Sequence, residues 1–105
     1  MKYIINLVNV PNQAGSCNLT DDSGQIYAVD YKVRTLPDGN VLMDITVNDE
    51  VQRQGVICTN LMPLVPTNIL NGNLYFQDIY GNENPNFQDF NTRFQLIYDT
   101  EFRLG

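Results

Sequence analysis

The feature that most constrains the fold of this chain is a repeated alternation of apolar and polar residues between Ile26 and Cys58. The alternation begins with one apolar set, Tyr27, Val29, Tyr31 and Val33, and resumes with a second, Val41, Met43, Ile45 and Val47. Because successive side chains of a strand point to opposite faces, a period of two predicts half-buried strands. Turn-forming residues interrupt the pattern at 36–40 and at Asn48-Asp49. The stretch therefore predicts three consecutive antiparallel strands, a β-meander.

The sequence on either side of the meander predicts further strands. Residues 1–10 are apolar on both sides at their centre, which predicts a strand buried on both faces or packed partly on a neighbour. A short second strand is predicted over 14–19, and later strands over 74–79 and 93–99. The pattern gives five or six strands in all.

Helix is predicted only as a turn or two after Pro66. Thr67 has a capping side chain for a short helix through Asn68-Ile69-Leu70, and Gly72 would end it. The predicted fold class is therefore all-β: one domain over residues 1–105, a small antiparallel sandwich or barrel built on the meander, with little helix.

Length and charge limit the classes of partner. A chain of 105 residues fits one domain with one core. Its formal net charge is −6 and its 6 Lys and Arg are scattered, so no basic stripe is available to neutralise phosphates. No apolar run approaches the roughly 20 residues of a membrane-spanning helix, and the first residues lack the pattern of a secretory leader. We expect an unprocessed, soluble protein that recognises neither nucleic acid nor membrane.

The sequence has little equipment for catalysis or metal binding. Histidine is absent, which removes the commonest general base and a common metal ligand. Acidic pairs occur at 21–22, 49–50 and 99/101, but each lies in or beside a predicted turn where water is available. Cys17 and Cys58 have no CxxC spacing and are expected to be small buried thiols. We predict no catalytic residue, no cofactor and no metal site.

Two apolar segments outside the strands are candidate contact surfaces. In the first, Pro63 and Pro66 remove backbone donors, which predicts an extended arm instead of a central strand or a long helix. The second is an aromatic loop over 84–90. An apolar segment without regular hydrogen bonds either packs on its own domain or binds a partner, and both alternatives stay open here. The contact candidates are Leu61, Met62, Pro63, Leu64, Val65, Pro66, Pro85, Phe87 and Phe90.

A set of short motifs covers nearly the whole chain in a fixed order. In chain order they are 9–13 (NVPNQ), 34–40 (RTLPDGN), 47–50 (VNDE), 55–58 (GVIC), 63–66 (PLVP), 84–87 (NPNF) and 92–98 (TRFQLIY). In this order and spacing the sequence resembles the small baseplate plug proteins of contractile-tailed phages. The acidic stretch 21–24 is longer than the family pattern, and we place it in a surface turn.

The resemblance implies an all-β, non-enzymatic structural subunit of the virion tail baseplate. It implies a position near the tail axis between hub and tail tube, several copies per assembly, and contacts with the hub, the tube and, as a further candidate, the spike. Because tails assemble in the reducing host cytoplasm, it also implies that Cys17 and Cys58 stay reduced. The alternative is a stand-alone β-sandwich module that binds a glycan or peptide through Tyr75, Tyr80 and neighbouring asparagines.

Overall fold

The computed structural model describes residues 2–66 and 69–102, and its regular elements are nearly all strands. In chain order the strands are β1 (Lys2–Ile5), β2 (Gln13–Thr20), β3 (Ile26–Thr35), β4 (Val41–Val47), β5 (Glu50–Ile57), β6 (Asn73–Asp78) and β7 (Phe94–Asp99). A three-residue 3₁₀ helix, Phe87–Asp89, precedes β7. The predicted all-β class is confirmed, and the described residues form seven strands, more than the sequence predicted.

The helix predicted around Thr67 cannot be compared in full, because Thr67 and Asn68 lie outside the described residues. The two residues that follow, Ile69 and Leu70, form a bend. In the part of the chain that the structure describes, no helix is long and apolar enough to cross a membrane.

The strands form two antiparallel sheets. The three strands of the predicted meander, β3, β4 and β5, form the larger sheet together with β2, in the order β2-β3-β4-β5, and the smaller sheet has the order β1-β7-β6. The inner faces of both sheets contribute to one hydrophobic cluster, so the architecture is a sandwich. In β4 the buried residues alternate with half-buried ones, as a period of two requires. Each fully buried Val, Leu, Ile or Met stabilises the fold by about 1.5–3 kcal/mol relative to exposure.

Turn chemistry sets the two reversals of the meander, as predicted. Gly39 has φ +94°, and its backbone N–H donates to the carbonyl of Leu36 (2.9 Å) to close the first turn. At the second turn Asn48 (φ +50°) and Asp49 (φ +67°) are both left-handed, a conformation that these two residue types tolerate better than most. These positive φ values match the twist of the strands they connect.

Of the two predictions for the first strand, burial on both faces was wrong, and partial packing on a neighbour agrees with the structure. The strand β1 ends at Ile5, well short of Val10, and its first three residues are exposed. The physical reason is its place in the sheet: β1 is an edge strand that pairs with β7 alone, with Lys2 opposite Asp99. Ile5 and, beyond the strand, Leu7 are the residues of this segment that reach the core.

Two acidic residues that were placed in water are buried. Asp21 accepts hydrogen bonds from the backbone N–H and hydroxyl of Ser23 (2.9 and 2.7 Å), from the N–H of Gln25 (2.9 Å) and from the hydroxyl of Tyr27 (3.0 Å). These bonds, above all that of the Ser23 side chain, lower the pKa of Asp21. Asp99 is the second such residue. The buried carboxylate oxygens of Asp21 and Asp99 accept hydrogen bonds from protein donors in place of water, and these bonds hold the neighbouring backbone in position.

Candidate functional site

The described residues contain no cluster of three or more His, Cys, Asp or Glu placed to hold a metal ion. Cys17 and Cys58 are both free thiols in the structure, and of the two only Cys58 is buried. Burial raises the pKa of Cys58 to about 12, whereas Cys17 is half-buried and its pKa is raised by burial and by the nearby Asp30 carboxylate. The two apolar segments identified in the sequence are the candidate contact surfaces, and each is described in turn.

The first half of the proline arm projects apolar side chains into solvent. Leu61 and Met62 are 49% and 55% exposed. A bond from the N–H of Met62 to the carbonyl of Thr59 (3.4 Å) makes a turn, and the N–H of Leu61 donates to Phe76 at the edge of β6 (2.8 Å). Leu61 has φ +62°, which is uncommon for a bulky residue and is maintained by these bonds. The fold thus presents these two side chains in a fixed turn.

The second half of the arm belongs to the core. Leu64 and Val65 are 0% and 2% exposed, and the backbone N–H of Leu64 donates to the carbonyl of Leu74 (2.9 Å). The side chain of Asn73 accepts from the N–H of Val65 (3.1 Å) and donates to its carbonyl (3.0 Å). Leu64 and Val65 were predicted as contact candidates, but in the structure they are core residues. Their backbone groups can be buried because residues of β6 form hydrogen bonds with them. Pro63 and Pro66 beside them are half-buried.

The aromatic loop likewise closes the sandwich. Phe90 is fully buried and stacks on Phe76 with ring centroids 5.7 Å apart, while Pro85 is buried and Phe87 is half-buried against the core. The side-chain amide of Asn9 donates to three carbonyls of this loop, those of Phe87, Gln88 and Phe90. Pro85 and Phe90 were predicted as contact candidates, but both are buried and pack on the domain itself.

A buried carboxylate that the sequence did not reveal organises the loop before β7. Asp78 accepts two bonds from the guanidinium of Arg93 (both 2.9 Å) and one each from the backbone N–H of Tyr80 and Glu83 (both 2.9 Å). The Arg93 side chain is the main reason that the pKa of Asp78 is held far below its ordinary value. One consequence is that Tyr80 is displayed at 76% exposure on a braced loop.

Exposed apolar side chains concentrate at one end of the sandwich. The hydroxyl of Thr35 donates to the carbonyl of Pro11 (2.8 Å), and Asn9 contacts Phe90, so the 36–40 turn, the segment before β2 and the 79–93 loop meet there. Ile57 pairs with Leu42 beside the 36–40 turn, and the N–H of Asn60 donates to the side chain of Asn84 (3.2 Å), which brings the residues after β5 to the same end. We call this the apolar end. Its exposed large apolar residues are Val8, Val10, Leu36, Ile57, Leu61, Met62, Ile79 and Tyr80. Patches of this kind on a small protein mark interaction sites.

The opposite end is acidic. The hydroxyl of Thr100 donates to the carboxylate of Asp22 (2.9 Å), which ties the turn before β3 to the residues after β7. The exposed acids of this acidic end are Asp22, Asp49, Glu50 and Glu101. The two ends of the sandwich therefore offer different chemistry, one apolar and one charged.

The glycan-binding alternative loses one of its two named aromatics. Tyr75 is buried, its hydroxyl donates to the carboxylate of Asp99 (3.0 Å), and its ring lies 5.3 Å from that of Phe102. Burial, followed by the bond to Asp99, raises the pKa of Tyr75 to about 12. Tyr80 is exposed, so of the two tyrosines named for this alternative it is the one that a glycan or peptide could contact.

Comparison with known proteins decides the family. A family model described as cyanophage baseplate Pam3 plug gp18 matches residues 1–101. The chain belongs to this baseplate plug family. No curated protein matches the sequence. Membership of the plug family supports a structural role in a phage baseplate.

Proposed function

We propose that this plug-family chain is a non-enzymatic subunit that fills a position near the tail axis, between hub and tail tube, and acts through protein–protein contacts. The observation that carries the proposal is the apolar end, because most of the exposed large apolar residues of the described chain lie at that end of the sandwich. On this proposal the chain is present in several copies in the virion and occurs in the host cytoplasm before assembly.

The apolar end is suited to a permanent interface because it is held in place before binding. Bonds within the protein fix Leu61, the Asp78 carboxylate braces the loop that carries Tyr80, and Asn9 anchors the segment before β2. Ordering a flexible surface on binding costs about 0.5–1.5 kcal/mol per side chain, and a preorganised surface avoids part of that cost. Apolar area that leaves water contributes roughly 25 cal/mol per Å².

Co-purification with assembled tails tests the proposal. Tagged wild-type chain is expressed during phage growth, tails are purified, and the subunits are identified by mass spectrometry. We expect the chain together with hub and tail-tube proteins. A chain that is absent from purified tails would refute the baseplate position.

A matched pair of variants tests the surface itself. Leu61→Asp with Met62→Asp places charges on the apolar end, and should abolish incorporation because unpaired charges are costly in an interface. Ile26→Asp with Val51→Asp changes equally exposed apolar residues away from that end and should incorporate normally. Equal incorporation of the two double variants would show that the apolar end is not the contact.

A further inference from the structure

We infer that the free edge of β2 binds an extended segment of another baseplate chain, which adds a strand to the four-stranded sheet. The inference rests on the proposed function for the identity of the assembly. Its evidence is separate from the apolar end. It consists of an edge that no segment among residues 2–66 and 69–102 covers, the outward-facing backbone groups of that edge, and a groove that runs beside it.

The other three edges of the sandwich are protected. The arm covers β6 through backbone bonds, β1 has four residues and begins with Lys2, and β5 is interrupted by register shifts opposite Ile45 and carries Arg53. Short edges, charged residues, bulges and covering segments are the devices by which proteins prevent unwanted strand pairing. In β2, by contrast, eight residues contain no proline and no charged side chain, and pair with β3 without a register shift.

The register shows which backbone groups of β2 face outward. The N–H of Asp21 donates to the carbonyl of Gln25. Because backbone hydrogen bonds alternate in direction along an antiparallel strand, the odd-numbered residues of β2, from 19 back to 13, form their backbone hydrogen bonds with β3. Ala28, opposite Asn18, accepts from the N–H of Asn48 on the other side, which confirms the alternation. The N–H and C=O groups of Ser16 and Asn18 consequently point away from β3. Donors and acceptors at this spacing match the main chain of an extended peptide.

A groove of about 440 Å³ lies between β2 and β1. Ser16, Cys17, Asn18 and Leu19 line one wall, Ile5 contributes to the other, and the ring of Tyr31 also lines the groove. Its volume falls within the range of about 300–1,000 Å³ that is usual for ligand sites. Main-chain pairing along β2 would supply affinity, and a small apolar side chain directed toward Cys17 would supply specificity.

Charge indicates that the occupant is a different chain with lysine or arginine, and not a second copy. Asp30 lies opposite Ser16 in the register and Asp22 follows the end of β2, whereas Lys32 lies opposite Ala14 at its start. A second copy would bring another net charge of −6 and a second Asp22 and Asp30 to the same contact. Like charges at an interface suppress that pairing, and a basic segment is attracted.

Proline substitution on the free side of β2 tests the inference. Ser16→Pro with Asn18→Pro removes two outward N–H groups and leaves the bonds to β3, because prolines are tolerated on the solvent side of an edge strand. Ser16→Thr with Asn18→Thr keeps both N–H groups and is the matched control. We expect the proline variant to melt within a few degrees of wild type and to co-purify with tails at least about tenfold less than the threonine variant. Equal co-purification would overturn the inference.

Hydrogen exchange of the wild-type chain covers the case in which the proline variant does not fold. The amides of Ser16 and Asn18 should exchange at least about tenfold more slowly in purified tails than in the isolated chain, and equal rates would overturn the inference. If wild type is absent from tails, the proposed function has failed; if wild type and the proline variant both co-purify fully, only the strand addition has failed. Self-association of the isolated chain that the prolines abolish would identify a second copy as the occupant and overturn the assignment.

Discussion

The two halves of the proline arm have similar composition and opposite environments. Leu61 and Met62 are about half exposed, whereas Leu64 and Val65, two residues further on, are almost completely buried. The difference comes from the hydrogen bonds that each half makes. Beyond Pro63 the arm lies along β6 and has its backbone groups satisfied by Leu74 and the Asn73 side chain, so its apolar side chains are directed into the core.

This comparison shows how a segment without a strand pattern can be part core and part surface. Hydrophobicity favours burial of both halves, but burial of a backbone without partners would cost more than it gains. The partner for the second half is an edge strand that begins some distance along the chain. The first half has one bond to β6 and a turn, which leaves its side chains for another molecule.

The largest expected effect separates the two halves directly. Leu64→Asp removes packing worth about 2–5 kcal/mol and in addition buries a carboxylate in the core, out of a total stability of about 5–15 kcal/mol, so the variant should be largely unfolded. Met62→Asp should stay within about 0.5 kcal/mol of wild type. Urea denaturation followed by circular dichroism measures both. Comparable stability of the two variants would mean that the arm does not divide between core and surface.

A smaller effect is expected from the side chain that holds the buried half in place. Asn73→Ala leaves the N–H and C=O of Val65 without their partners in a buried site, which should cost about 1–3 kcal/mol. Asn84→Ala, which removes an exposed bond to the N–H of Asn60, is the control and should cost less than about 0.5 kcal/mol. Thermal melting of the two variants compares them. If Asn84→Ala is the more destabilising change, Asn73 is not the anchor of the arm.

A still smaller effect, of opposite sign, is expected in the exposed half. Leu61→Gly relieves a left-handed residue, a gain of about 1–2 kcal/mol, and loses about 0.5–1 kcal/mol to the greater freedom of glycine in the unfolded chain. The net result should be a stabilisation of roughly 0.5 kcal/mol. Met62→Gly lacks the first term and should be neutral or slightly destabilising. A clear loss of stability in Leu61→Gly would indicate that the leucine side chain packs in the isolated protein.

Thiol labelling sharpens the comparison without any mutation. Cys58, three residues before the arm, is buried with a pKa of about 12, so at pH 8 it should react with a thiol reagent far more slowly than the half-buried Cys17. Both should react in denaturant, which gives two free thiols per chain. Because the folded pKa of Cys58 exceeds its ordinary value of 9.0, its contribution to stability is present below pH 9 and is lost as the pH rises toward 12. Equal labelling rates in the native protein would show that the arm opens readily.

The parts of the fold that could be predicted from sequence are those that neighbouring residues determine. The alternation in β3 and β4 and the turns at Gly39 and at Asn48-Asp49 depend on residues a few positions apart, and the structure confirms them. Family resemblance read from ordered motifs was confirmed as well, by the match over residues 1–101. Local patterns of this kind determine backbone direction before any tertiary contact is known.

The parts that could not be predicted depend on partners far along the chain. The buried carboxylate of Asp78 is paired with the guanidinium of Arg93, 15 positions later in the chain. The side chain of Asn73 forms hydrogen bonds with the backbone of Val65, 8 positions earlier. The identity of a single aspartate or asparagine does not indicate a partner at that distance, so the roles of Asp78 and Asn73 could not be predicted from the sequence. The same reason explains why Leu64 and Val65 could not be distinguished from Leu61 and Met62: the edge strand that covers one pair lies elsewhere in the sequence.

The pairing of β1 with β7 has a consequence for the order of folding. The meander β2–β5 consists of neighbouring hairpins, so its closure entropy is small and it can form early. The strand β1 is made before the other six described strands, but it pairs with residues 96–99 and therefore cannot dock until those residues have left the ribosome. Until then Ile4 and Ile5 remain unpaired beside a finished sheet. We expect the rate-limiting step of folding to be the closure of the smaller sheet, in which β1, although made before the other described strands, is the last to take its place.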